Sequence, residues 1–140
     1  MYVISGDYSS ETGKAIGNWY AEKTQMPLVG PLLELIGPFS AIGFIDSEGT
    51  VQFALIYTNY NGSNINLHAY GPKGMNKSIL KIMLHYPFNE LNCSRVTAIV
   101  PRSNKKTLRL LPRLNFVYET VLKSYFGNKK EQKRTRWRCV

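Results

Sequence analysis

The segment Gly71-Pro72-Lys73-Gly74-Met75-Asn76-Lys77-Ser78 lies between a stretch of alternating apolar residues and a run with helical spacing. A loop so placed does chemistry through its main chain. Consecutive N–H groups at a helix N-terminus point at an anion, and the helix dipole favours negative charge there. Gly71 and Gly74 let the backbone approach a ligand closely, and Lys73 and Lys77 add positive charge. Taken alone, such a loop is also what a plain connection looks like. Just upstream, His68 alternates with Leu67 and Ala69 and so shares a strand face with Asn66 and Tyr70. It reads either as a general base or as a hydrogen-bonded strand histidine. Tyr57 and Asn59 are either pocket-lining or sheet-surface residues, Tyr118 and Tyr125 are alternative proton donors, and His85 beside Tyr86-Pro87 reads as structural. Ser, His and Asp form no nucleophilic set, and two His with two Cys leave no metal site.

Composition narrows the setting. A chain of 140 residues, 44% hydrophobic and 19% charged, has the size and make-up of one folded domain, residues 1–140. No apolar run approaches a membrane span, and the N-terminus lacks the pattern of a secretory signal. Cys93 and Cys139 are far apart, which reads as two thiols in a reducing compartment. The expected location is therefore cytoplasmic. Lys and Arg total 18 against nine acidic residues, a formal net charge of +9. That excess points to an anionic partner: nucleic acid, a phosphorylated cofactor or an acidic protein surface.

The elements that must position these residues follow from periodicity. A strand at 2–5 precedes a helix at 11–23, in which Ala15, Ile16, Trp19 and Tyr20 make one apolar face. Pro27 ends that segment, and 29–36 is a second helical patch. The period then changes to two, giving strands at 39–46, 50–60 and 64–70 joined by short Gly-containing turns. A helix at 76–86 is stopped by Pro87, a strand follows at 95–100, and Ser103 caps a helix from Asn104 to Leu114 that Pro112 kinks or ends. Residues 116–126 return to strand. In the basic tail, residues 133–140 alternate arginines with Thr135, Trp137 and Cys139, so a final strand is expected over a free arm. The strand–helix–strand passage from 64 to 100 makes its two strands parallel within a mostly antiparallel sheet.

With that order in place, the strand ending Asn66-Leu67-His68-Ala69-Tyr70, the loop and its helix resemble the acyl-CoA pyrophosphate site of the GNAT acyltransferase superfamily. Val96-Thr97-Ala98-Ile99-Val100, then Asn104 through Thr107, Leu110, Arg113, Leu114, Asn115 and Phe116, is similar to the family's next strand and helix. Tyr86-Pro87-Phe88-Asn89-Glu90-Leu91 with Arg95-Val96-Thr97 resembles small members encoded by bacteriophages. The likeness spans residues 39–126, and more weakly the N-terminal helices. It implies an α+β fold, a mixed, mostly antiparallel sheet of about seven strands with helices on both faces.

The resemblance also implies acetyl-CoA, or a related acyl-CoA, as the acyl donor. Two parallel strands would splay so that the backbone around His68, Ala69 and Tyr70 pairs with the pantetheine arm. Lys73, Gly74, Met75, Asn76, Lys77 and Ser78 would hold the phosphates, and Asn104 and Thr107 would contact the arm. His68, Asn104 and Tyr57 become the catalytic candidates. Three departures stand out: Lys73, Asn76 and Ser78 replace the usual loop pattern, Leu111 stands where a tyrosine often protonates the leaving thiolate, and Asn115 replaces a glycine. The acceptor is expected to be an amine on a protein or nucleic acid, since the positive chain repels small polyamines; a homodimer is left open. Other readings are a catalytically inactive GNAT fold whose basic surface binds nucleic acid or an acidic protein, a toxin acting on charged tRNA, and a nucleic-acid-binding sheet using Tyr57, Tyr60 and Tyr70.

Overall fold

The computed structural model describes residues 1–24, 37–101, 105–122 and 134–139. Strands β1 (Tyr2–Asp7), β2 (Phe39–Ile45), β3 (Val51–Thr58), β4 (Asn64–Tyr70), β5 (Arg95–Pro101), β6 (Val117–Leu122) and β7 (Arg134–Cys139) form one sheet. Their spatial order is β1-β2-β3-β4-β5-β7-β6. β4 and β5 pair in parallel, and the other pairings are antiparallel. The last strand therefore inserts between β5 and β6, and the basic tail is strand over 134–139 rather than an arm.

Period two divides the sheet's side chains between two layers. Ala41, Ala54 and Ile56 turn toward helix α1 (Glu11–Lys23), where they meet Ile16, Tyr20 and Ala21. Phe44, Phe53, Leu55, Tyr57, Ile65, Leu67, Val96 and Ala98 form the other layer, against helix α2 (Lys77–His85) through Ile79 and Met83. Helix α3 (Lys105–Leu110) joins that second layer through Leu108, and the 3-10 turn Leu111–Leu114 through Leu111. Helices thus cover both faces, α1 on one and α2 with α3 on the other.

Local chemistry explains the boundaries. Ser10 caps α1, its hydroxyl accepting from the Gly13 N–H at 3.0 Å. β3 stops at Thr58, two residues before the expected end, because Asn59 takes a left-handed φ of 54°. The α-helix ends ahead of Pro87 as expected, at His85, but the coil continues. α2 runs into a single π-helical turn, Tyr86–Glu90, in which the Leu91 N–H donates to Tyr86 O at 3.1 Å. Pro87, lacking a donor, occupies an early position of that turn, where no inward N–H is needed. Pro112 ends α3 as expected, and the 3-10 turn closes on Asn115 at φ 64°, a left-handed conformation that asparagine tolerates. The expected second helical patch at 29–36 and the Ser103 cap lie outside the described residues.

Candidate functional site at the β4–β5 separation

β4 and β5 pair from Asn64↔Arg95 to Leu67↔Ala98 and no further, although each strand runs on for three residues. Beyond that point β4 keeps its bonds to β3, with Ile56↔His68, Leu55↔Ala69 and Ala54↔Tyr70, while β5 pairs onward with β7. The two parallel strands have parted. Over His68–Tyr70 the edge of β4 that faced β5 is no longer covered by that strand. The side chains there are already committed: Ala69 packs into the α2 layer and Tyr70 rests its ring 6.0 Å from that of Trp19.

The chain then enters the loop. The Gly74 N–H donates to Gly71 O at 3.0 Å, closing a turn with Gly74 at φ 75°. A Cβ on Gly71 would run into the Phe53 ring, so glycine is required for the loop to lie on β3. Asn76 is the N-cap of α2, its side-chain carbonyl accepting from the Ile79 N–H at 2.9 Å. Its carbonyl oxygen takes the Leu80 N–H at 3.0 Å. Of the four leading amides of the helix, those of Lys77 and Ser78 remain for an external anion. Asn76 thus has a structural assignment beyond the phosphate contact expected of it. Lys73, Gly74, Lys77 and Ser78 are exposed around this helix start, while Met75 is half-buried against the core.

Beside the loop opens a cleft of about 600 Å³, between Phe53, Gln52 and Asp46 on one side and Lys73, Asn76 and Ile79 on the other. None of its lining residues belongs to β5. It adjoins the loop from the β3 side and is distinct from the gap between the parted strands.

His68 faces α1. Its Nε2 lies 3.1 Å from the Thr58 hydroxyl, and its ring sits edge-on to Tyr20 at 6.4 Å. Tyr57 points the opposite way. It is 1% exposed, and its hydroxyl donates to Met83 O at 2.8 Å. Burial, with Tyr86 and Glu90 nearby, pushes its ionisation far above the ordinary phenol value. Tyr57 is therefore a core residue joining β3 to α2, and it reaches neither His68 nor the gap. Thr107 is half-buried on α3. Leu111 is 4% exposed, packed in the core with Phe116. Asn104 and Tyr125 lie outside the described residues.

A polar row that the sequence reading did not single out runs across the α1 side of β4, β5 and β6. Arg95 donates to both carboxylate oxygens of Glu119 at 2.7 Å, and its Nε donates to the Thr97 hydroxyl at 3.3 Å. Thr97, 4% exposed, donates to the Asn64 side chain at 2.7 Å, and the Asn64 amide donates to Asn66 at 3.3 Å. The signal was present in the alternation Asn64, Asn66, His68 and Arg95, Thr97. Its meaning needed the pairing that sets Asn66 opposite both Thr58 and Thr97.

No protein-family profile matches this chain, and no curated protein sequence matches it. Solved structures do. A point mutant of the spermidine N-acetyltransferase SpeG from Vibrio cholerae aligns with a TM-score of 0.73 at 16% identity, covering 100% of this chain and 95% of that one. The ribosomal-protein-S5-alanine acetyltransferase from Vibrio fischeri aligns at 0.60 and 18% identity, over 77% of this chain and 64% of that one. A GNAT-family acetyltransferase from Bacillus anthracis aligns at 0.57 and 16%, over 71% and 65%. The chain shares the α+β fold of the GNAT acetyltransferases. No helix among the described residues is long and apolar enough to cross a membrane.

Proposed function

We propose that the protein is an N-acyltransferase that moves an acetyl group, or a related acyl group, from acyl-CoA to an amine. The observation that carries this reading is the parting of β4 from β5 after Leu67 and Ala98, directly before a glycine-containing basic loop and a helix start. The stretch of β4 beyond Leu67, which no longer pairs with β5, suits an amide-rich arm laid along the strand. The leading amides of α2, with Lys73 and Lys77, suit the pyrophosphate at its end. The fold shared with acetyltransferases supports the same assignment.

In this reading the amine, once neutral, attacks the thioester carbonyl. A C–N bond forms, the C–S bond breaks, and the thiolate departs. Backbone N–H groups of the parted β4 stabilise the developing oxyanion. His68 takes the amine proton, directly or through water, with Thr58 orienting its ring. Because Leu111 is a buried leucine, no phenol at that position protonates the thiolate, which takes its proton from solvent or another group. Asn104 and Thr107 stay assigned to the arm of the donor by the sequence resemblance. The acceptor is an amine on a macromolecule, favoured by a net charge of +9 that repels small polyamines. A phage-encoded modifier of a host macromolecule is the setting the sequence resemblance suggests. A second reading, an inactive fold retained as a binding protein, is favoured by Leu111 and by the capping role of Asn76.

Thermal-shift titration with acetyl-CoA and CoA tests the proposal. Saturable stabilisation of mass-action form is expected, weakened at least tenfold in affinity in Lys73→Glu/Lys77→Glu. His68→Ala should then lower turnover by about 100-fold while leaving acetyl-CoA affinity unchanged. Absence of binding at millimolar ligand would refute the acyl donor, and binding without turnover on any amine would favour the inactive fold.

A further inference from the structure

Helices α2 and α3 carry a charge pattern that an acyl-CoA site does not need. Both lie on one face of the sheet, anchored through Ile79 and Met83 on α2 and through Leu108 and Leu111 at α3 and its following turn. Pointing away from that core are the exposed cations Lys77, Lys81, Lys105, Lys106, Arg109 and Arg113. Lys77 and Lys81 are four apart on α2, as are Lys105 and Arg109 on α3, so each pair aligns along its helix, and Arg113 follows in the 3-10 turn. His85, also exposed, extends the α2 stripe to a length of roughly 12 Å. Neither helix contains an Asp or Glu. Among the described residues none of these six cations has an ion-pair partner, whereas Arg95 on the other face is held by Glu119.

Chemistry selects the partner. Protein interfaces are centred on buried aromatic or aliphatic anchors. Among the described residues the large exposed hydrophobics, Tyr2, Val3, Tyr60, Val117 and Tyr118 among them, lie on or beside β1, on β6 and after β3, and none is on α2 or α3. A surface of evenly spaced cations without an apolar centre matches a regular polyanion, one read through its phosphates rather than its bases. We infer that the outer faces of α2 and α3 form a docking surface for a nucleic-acid backbone. It is separate from the His68 side of the sheet and independent of whether the chain transfers acyl groups. Only Lys77 is shared with the proposed donor site.

Fluorescence anisotropy with labelled random-sequence duplex DNA and single-stranded RNA, across a salt series, tests this. Wild-type protein should bind saturably, with log affinity against log salt falling with a slope of about −5 for six engaged phosphates of duplex DNA. The larger response identifies which nucleic acid is preferred. Lys81→Glu/Lys106→Glu/Arg109→Glu/Arg113→Glu should weaken binding at least 100-fold at about 100 mM salt and flatten the slope by 3 to 4, values scaled from about 0.9 per contact. The α1 pair Lys14→Glu/Lys23→Glu should leave binding within about threefold of wild type, with those charges on the opposite face. Should the glutamate set unfold the chain, the same four changes to Gln measure the same loss in smaller steps. Acetyl-CoA affinity of the variant should be retained, which separates failure here from failure of the acyltransferase proposal. The inference is overturned if wild type does not bind, if the α1 pair is as damaging, or if poly-glutamate competes as well as DNA at equal charge.

Discussion

The two faces of one sheet treat their polar groups in opposite ways. On the α1 side, polar side chains satisfy one another: Thr58 meets His68, Asn66 meets Asn64, Asn64 meets Thr97, and Arg95 is held by Glu119. Helix α1 is itself balanced, with Glu11 and Glu22 against Lys14 and Lys23. On the α2 side the inward residues are apolar, the buried Tyr57 hydroxyl is consumed by Met83 O, and the cations of α2 and α3 stand outside with no acidic residue in the same helix. Where polar groups pair internally they hold elements in register. Where they stand unpaired at an exposed surface, they are there for something else to meet.

If the faces differ only in their polar groups, equal apolar deletions should harm both alike. Leu55 and Ile56 are adjacent on β3, face opposite layers, and are both 0% exposed. Leu55→Ala and Ile56→Ala are each expected to destabilise by about 2–5 kcal/mol. Chemical denaturation measures both, and a negligible cost on one side would show that layer to be poorly packed. The next contrast is between cations. Arg95→Met removes a two-oxygen ion pair between half-buried groups, at an expected cost of about 1–2 kcal/mol after discounting for partial exposure. Arg109→Met removes an exposed charge without a partner and should stay within about 0.5 kcal/mol. Equal costs would erase the distinction between the faces.

This division was half legible in the sequence. Periodicity located α1 at Glu11–Lys23, and strict alternation located β4 at Asn64–Tyr70, because those signals are local. Alternation also implied that neighbouring strand residues face apart, but not how one strand registers on the next. Tyr57 was therefore grouped with His68, though the pairing sets Tyr57 opposite Leu67 and Ile56 opposite His68. The π turn at Tyr86–Glu90 was hidden for a related reason. Proline reads as a stop until the hydrogen bond from Cys93 N–H to Pro87 O, at 2.9 Å, shows how the chain just beyond folds back on the turn. The gap between β4 and β5 was anticipated by resemblance alone, since nothing in the residues 68–70 says that a parallel neighbour will leave.

Tyr57 offers the smallest and most specific contrast. Burial raises its ionisation above the ordinary phenol value of 10.0, so the folded state keeps the proton to higher pH than the unfolded chain does. Above that value the unfolded state loses protons that the native state retains, and stability falls as pH rises. The contribution of Tyr57 is complete below pH 10 and declines above it by up to about 1.4 kcal/mol per pH unit. Tyr57→Phe should cost about 1 kcal/mol at neutral pH, from the lost bond to Met83 O. It should also make the chain less sensitive to alkali, so that the wild-type and variant stability curves converge between pH 10 and 11. Denaturation midpoints at pH 8, 10 and 11 decide the matter. Parallel curves would mean the hydroxyl ionises freely and is not sealed beneath α2, and the contrast between a closed face and an open one would then fail at its centre.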